Sequence, residues 1–503
     1  MSWKPYPVTK TALDYDGYEV RINGIPVETN TARVSAAPFN RRWPGHQRDI
    51  SQTELINFVS LETDEPLTFE IVPKTPCTSA VIRPRSLGIT PQVTADGHIV
   101  FTLEKPAYFT VEPYGLHNAL HIFADAPAQY AIDPTDENVI YFGAGEHDVG
   151  MITLHSNQTL FLDEGAVVYA CVRAIDAENV RILGRGILDN SRNREQILFE
   201  ANEENNWAAV NNAVRLHTIQ PEYCTDLTIE GITIRDSLVY NVRPVGCSGV
   251  DIRNVKIIGC WRYNSDGIDM HNCTDVLIDN CFLRTFDDAI CVKGFDCYYD
   301  GDVEQAVYEA IHHNGKVYDA FRCVLVKNCV IWNDWGKALE IGAETRAEEI
   351  SDIVFSDCDV IHVCATVLDC MNVDYADVHN VVYQNINVEF DEEIPVPMIQ
   401  KNDAQVYENH SPDFAPDLLG VSVLYHAEYS AGGSRRGRNR DIAFRNIHLY
   451  GRQRPKFCFR GCSAAYKTSD IVIEGIFVND RPLTADGYDL STDEFCKNIT
   501  VKL

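Results

Sequence analysis

The chain has 503 residues, enough for one large elongated domain and a smaller companion. Its 43 Lys and Arg against 73 Asp and Glu give a formal net charge of −30, which argues against a nucleic-acid backbone as partner. No stretch approaches the ~20 apolar residues of a membrane span, and the opening MSWKPYPVTKTALDYDGYEV lacks the apolar run of a signal peptide, so a soluble, cytoplasmic protein away from membranes is expected.

The 17 cysteines are odd in number and follow no framework spacing, so they read as reduced thiols. Metal ligation is the alternative. No Cys-x-x-Cys occurs, and Cys458 and Cys462 lack a matching His or Cys pair, so neither metal nor cofactor is expected.

Residues 1–125 form the first predicted domain. Short alternating runs at 18–22, 67–72, 80–84, 98–103 and 108–111, punctuated by Gly, Pro and Asp, predict antiparallel strands in a small β-sandwich. One helical stretch is predicted over 52–59. The segment 39–48 (FNRRWPGHQR) is rich in Trp, His and Arg and reads as a packed interdomain loop, with contact to a ligand or neighbouring subunit as the alternative.

The second predicted domain spans 126–503. HDVGMITLHSNQTLFLDEGAVVYA reads as two or three strands, and then one unit recurs: a polar turn followed by alternating apolar residues. Copies begin near Asn179, Asp226, Gly249, Asp275, Arg322, Asp352, His379, Arg440 and Ser469. Uninterrupted copies are roughly 25 residues apart, a solenoid period and too short for the ~40–45 residues of a propeller blade. Each unit buries its apolar row only by stacking on its neighbours. Two insertions interrupt the repeat. Residues 295–320 carry Tyr298, Tyr299, Tyr308, His312 and His313, and residues 391–439 run into the basic SRRGRNR at 434–440. Loops this long on a solenoid often build or close a binding face, although the basic run reads equally well as a solvated tip.

The chemistry concentrates in residues 264–294, NSDGIDMHNCTDVLIDNCFLRTFDDAICVKG. Asp266 and the pair Asp287–Asp288 lie 288 − 266 = 22 positions apart, about one period, so a stacked coil sets them side by side on neighbouring rungs. Three crowded carboxylates repel one another and raise at least one pKa, which supplies an acid and a base together. Strand alternation turns Asp269, Lys293 and Glu340 to the same outer face if Ile268, Met270, Ile290, Val292, Leu339 and Ile341 point inward. The bland alternative is that Asp and Asn merely shape turns, the reading given to Asp275, Asp352 and Asp357. A calcium site would need a further dense cluster of oxygen ligands, and none is evident.

At these residues the sequence resembles the polygalacturonase family, glycoside hydrolase family 28, and its clan relative, the dextranase-like family 49. Asn264-Ser265-Asp266-Gly267 is similar to the family's Asn-Thr-Asp-Gly, and Asp287-Asp288-Ala289-Ile290 to its Asp-Asp-Cys-Ile. Val292-Lys293-Gly294 resembles the Ile-Lys-Ser-Gly that follows. Ser237-Leu238-Val239-Tyr240 to Arg243-Pro244 resembles Ser-Pro-x-Trp to His-Pro upstream. The resemblance implies a right-handed parallel β-helix of the pectin-lyase-like kind and inverting hydrolysis of an α-glycosidic bond. Asp287 would be the general acid, with Asp266 and Asp288 holding and deprotonating the water. Inverting enzymes set their carboxyl groups ~6.5–9.5 Å apart, which side chains on rungs ~4.8 Å apart can span.

Two departures bear on specificity. Gly336-Lys337-Ala338 stands where the family has Gly-His-Gly, and the Arg-Ile-Lys that clamps galacturonate has no counterpart. Lys337, Glu340, Arg243, Asp269, Lys293 and Tyr240 are the substrate-binding candidates. Trp261, Tyr263, Trp332 and Trp335 are either sugar platforms or packing. The expected partner is an imported oligosaccharide, cleaved from one end, with a neutral sugar in the cleaved subsite; a homo-oligomer is left open. The alternatives are ordinary pectin-type galacturonide hydrolysis, a lyase or epimerase using Lys337 as base, and a non-catalytic carbohydrate-binding β-helix.

Overall fold

The computed structural model describes residues 3–40, 49–193, 217–295, 303–402, 404–426, 430 and 435–503. Most of segment 39–48, together with Tyr298, Tyr299 and Ser434, lies outside the described residues.

From Trp3 to Asp125 the chain forms two facing sheets, one of six strands and one of five. Period-2 burial makes them: in Leu67–Pro73 the side chains of Leu67, Phe69 and Ile71 point inward. Phe69 stacks on Phe101 at 5.0 Å, and Phe109 meets both rings edge-on. The helix expected over 52–59 is a strand, Thr53–Thr63, preceded by a single 3-10 turn. Its apolar run hides the alternation because both faces are buried: Val59 and Leu61 enter the sandwich core, while Ile56 and Phe58 pack outward against the following coil.

From Val139 onward the chain winds as a right-handed parallel β-helix whose strands pair, coil upon coil, to Lys502. One coil shows the pattern: Thr274–Asp279, Phe282–Thr285, a turn, then Ile290–Lys293, each paired in parallel with its equivalent one coil later. The corners are turned by Asn and Asp in the left-handed region, including Asp275 (φ 56°), Asp352 (φ 57°) and Asp357 (φ 55°), as expected for turn-shaping residues. Inside, like sits on like. Ile268, Ile290, Leu339, Leu368 and Leu419 form one ladder, and Met270, Val292, Ile341, Cys370 and Val421 the next. Cys224, Cys247 and Cys273 stack in a third column at a turn, and the described cysteines are all free.

The sandwich lies on the outer face of the coil. Ala32, Val34, Phe58 and Phe123 cover Phe282, Val330, Trp332 and Ile361. Arg83 reaches Glu389 (2.6 Å), Asp391 (3.1 Å) and Glu112 (3.1 Å), tying the two parts together. The 391–439 insertion also grips the sandwich, pairing Met398–Ile399 with Phe39–Asn40. The other insertion contains a helix, Val303–Ile311, and sets His313 against Tyr223 at 3.7 Å. Among the described residues no helix is long and apolar enough to cross a membrane.

Candidate active site

Seven short parallel strands make one long face of the β-helix, beginning with Ile268–His271, Ile290–Lys293, Leu339–Ala343 and Leu368–Asn372. With Ile268 and its equivalents inside, the next residue of each strand faces out. Asp269, Cys291, Glu340 and Asp369 therefore stand in one row on successive coils. The turns that feed these strands carry Asp266, Asp287, Asp288 and Lys337, joined by backbone bonds: Gly267 donates to the Asp288 carbonyl and Ala289 to the Lys337 carbonyl, both at 2.8 Å.

All nine candidates converge here. One oxygen from each of Asp266, Asp287 and Asp288 lies within 4.8 Å of the others. Asp266 is buried, and its Oδ1 has no hydrogen-bond partner among the described residues. Burial, then Asp269 and Asp287, push its carboxyl well above the usual range. Asp287 is half-buried; enclosure, then the neighbouring Asp288, push it up to about 8. The Asp287 carbonyl accepts from Asn333 Nδ2 (2.5 Å) and Thr285 Oγ1 (2.7 Å), which fixes its turn. Asp288 Oδ1 accepts from the Lys337 backbone N–H at 2.9 Å.

Two ammonium groups sit among the acids. Lys293 Nζ is 2.6 Å from Asp269, 3.5 Å from Asp266, 3.7 Å from Glu344 and 3.9 Å from Asp288. Burial opposes its charge, but Asp269 and Glu344 outweigh that and hold its pKa well above the ordinary value. Lys337 Nζ is 2.5 Å from both Glu340 and Asp369 and is likewise held charged against burial. Asp288, Cys291 and Glu340 form a second group whose ligand atoms lie within 4.8 Å of one another, so both acidic groups are dense enough for a cation. Lys293 already supplies positive charge to the first.

Upstream, Val242 bridges to Ile268, which puts Arg243 one coil before Asp269 on the same outer row, buried. The Tyr240 ring lies 5.1 Å from Lys293 Nζ and 4.7 Å from the His217 ring. The tryptophans divide. Trp332 is wholly buried beneath the sandwich, stacked against His121 and Arg284. Trp261 is buried and donates to Asp236 at 2.9 Å. Neither can be a sugar platform. Trp335, partly buried against Phe286, remains beside the turn that carries Asp287 and Asp288.

Two residues escaped the sequence reading, Asp369 and Glu344. Asp369 stands 369 − 340 = 29 positions after Glu340, one coil later, at the same place in the alternation. That offset was the available signal.

A β-helix with a buried to half-buried cluster of carboxyl groups along one face fits a carbohydrate-active protein of the glycoside-hydrolase type. Comparison agrees: the sequence profile of glycosyl hydrolases family 28 matches residues 146–413, more than half of the chain. The chain belongs to that family. A probable polygalacturonase of Vitis vinifera is 27% identical over 184 residues, 32% of this chain and 38% of that relative, so the match spans well under half of the relative's length. In fold, the chain is similar to Dex49A from Penicillium minioluteum (TM-score 0.57, 14% identity, 99% of this chain and 95% of that one). It is also similar to a hyperthermoactive exopolygalacturonase from Thermotoga maritima (TM-score 0.50, 18% identity, 72% and 83%).

Proposed function

We propose that this protein hydrolyses an α-glycosidic bond in an oligosaccharide with inversion, removing sugar from a chain end. The observation that carries the reading is the trio Asp266, Asp287 and Asp288, in which Asp287 is held protonated at neutral pH. A protonated Asp287 donates to the leaving oxygen as the bond breaks, and the electron pair stays on that oxygen. Asp266 and Asp288, flanking it, orient a water, and Asp288 takes its proton as it attacks the anomeric carbon. Lys293, buried beside Asp266 and Asp288, favours the ionised carboxylate that a base needs before it accepts the proton of water. The sandwich and the 391–439 insertion line one cavity with Asn333, whose Nδ2 holds the Asp287 carbonyl, and this enclosure supports action on chain ends.

One observation favours a second reading. Oxygens within 4.8 Å are nearer the ~5–5.5 Å carboxyl spacing of retaining enzymes than the ~6.5–9.5 Å of inverting ones, so Asp288 or Asp266 could instead attack directly. The lyase alternative loses its base, because Lys337 is held charged between two carboxylates.

The test is a time course of product anomers by NMR, with Asp287→Asn alongside. Inversion predicts that the first product has the opposite anomeric configuration. Asp287→Asn should fold normally and lose about 10²–10⁴ in kcat. Retained configuration would move the mechanism to the second reading, and unchanged turnover would remove Asp287 from it.

A further inference from the structure

We propose that Asn333 is a positioning residue for the proton donor: its carboxamide clasps the turn that carries Asp287 and Asp288 to the turn that carries Lys337, and so sets where the Asp287 carboxyl stands. This rests on the hydrolase reading above and adds to it a buried residue that acts through the main chain.

The clasp is built from equivalent places on two successive coils. Thr285 ends the strand Phe282–Thr285, and Asn333 ends Val330–Asn333 one coil later, directly paired with it. Both side chains are buried. Asn333 Nδ2 lies 2.5 Å from the Asp287 carbonyl, 3.0 Å from Thr285 Oγ1 and 3.3 Å from the Lys337 carbonyl. Its Oδ1 accepts the Trp335 backbone N–H at 3.2 Å. The Thr285 hydroxyl accepts from the carboxamide and donates its own hydrogen to the Asp287 carbonyl at 2.7 Å. One side chain therefore bonds to main-chain groups of both turns, and the Asp287 carbonyl collects two donors.

A carboxamide is what this place requires. A turn leaves carbonyls without a ladder partner, and a buried carbonyl needs a donor. Asparagine supplies two N–H at one end and an acceptor at the other. Aspartate has the same shape but would set an oxygen against the Asp287 and Lys337 carbonyls, and leucine fills similar space with neither function. The other bonds between the two turns pass Asp287 by: the Gly336 N–H goes to Phe286, the Ala289 N–H to Lys337 and the Lys337 N–H to Asp288 Oδ1. Among the described residues, only Asn333 and Thr285 hold the Asp287 carbonyl. Its carboxyl faces Asp288 in its own turn, Asp266 and Asp269 from the coil before, Lys293 on the strand after it and Cys364 from a later coil. Enclosure, then Asp288, keep the proton on it. Swinging the peptide takes the carboxyl out of that setting, and a misplacement of about 1 Å costs a reacting group about 10²-fold in rate.

The experiment screens the wild type against α-linked gluco-, galacto- and galacturono-oligosaccharides and takes the one cleaved fastest. Steady-state kinetics against pH are then recorded for Asn333→Leu and Asn333→Asp, with thermal melting of each. Both variants should lose about 10²-fold in kcat with KM changed less than threefold. In Asn333→Leu the basic limb of kcat/KM should also move at least one pH unit to the acid side, because a displaced Asp287 is less enclosed and farther from Asp288. Thr285→Val removes the second donor and should act in the same direction, with Thr285→Ser recovering the loss; this pair decides the matter if the Asn333 variants do not fold. A kcat within threefold of wild type overturns the inference and leaves the hydrolase reading intact. So does a lower kcat and Tm with the basic limb unmoved, which is the mark of a merely structural residue. A wild type that cleaves no member of the panel sinks the hydrolase reading, and the inference falls with it.

Discussion

Asp287 shows how much of the site's chemistry is set by neighbours rather than by the carboxyl itself. An ordinary aspartate is ionised at neutral pH. Here enclosure and the adjacent Asp288 push the group up to about 8. The sign matters for activity: a general acid works only while it carries its proton, so kcat/KM should be level up to about pH 8 and fall beyond it, tenfold per unit. A pH–rate profile checks this. An acidic limb reports protonation of the base, whereas a basic limb that already begins near pH 5 would place the working proton on another member of the cluster, whose three carboxylates titrate together.

At the scale of elements, the turns matter more than the strands. Gly336 precedes Lys337, and a Cβ built on it would lie 2.4 Å from the Asp288 nitrogen and 2.6 Å from the Asp287 carbonyl carbon. Neither neighbour can retreat, because both belong to the main chain of the Asp287–Asp288 turn. Gly336→Ala should therefore displace the Asp287–Asp288 peptide and lower kcat by about 10²-fold, the scale of a 1 Å misplacement, with only a modest fall in Tm. Unchanged kcat would mean that the turn accommodates the shift. Much of this element was legible in the sequence, because a period of one coil and the inward–outward alternation together place Asp269, Lys293 and Glu340 on one face, while Lys337 was marked by the resemblance alone. Asp369 was missed because its strand, Leu368–Asn372, sits in a stretch with no family motif to mark it. The strand Thr53–Thr63 was misread as helix because burial on two faces erases the period-2 signal. The seat of the sandwich was equally hidden. Phe282, Val330 and Trp332 are apolar on a face that would otherwise be wet, but a single sequence does not say what covers them.

At the scale of the molecule, stability gathers where the sandwich meets the coil. His362 is buried between Glu112 (3.0 Å) and Asp391 (2.8 Å), next to the Arg83 pairs. Burial opposes its charge, yet Asp391 and Glu112 raise its pKa to about 9. A raised histidine pKa gives stabilisation that is full below the unfolded value of about 6.5 and is lost as pH climbs through about 9. Melting temperature should fall across that window, and His362→Gln should flatten the fall; a wild-type Tm independent of pH from 6.5 to 9.5 would remove His362 from the junction's energetics. Arg83→Ala, which strands buried carboxylates, should cost about 3–5 kcal/mol. The same junction has a consequence for how the molecule comes into being. Arg83 and Glu389 are 306 positions apart, whereas the strand pairing of the β-helix joins each coil to those just before and after it. During translation the sandwich emerges first, and the coils then lay themselves down one on another as the nascent chain lengthens. The aspartates from Asp266 to Asp369 all leave the ribosome before Glu389 does, so the cleft is laid out in an immature protein whose Arg83 has Glu112 of its own domain but neither Glu389 nor Asp391 to hold.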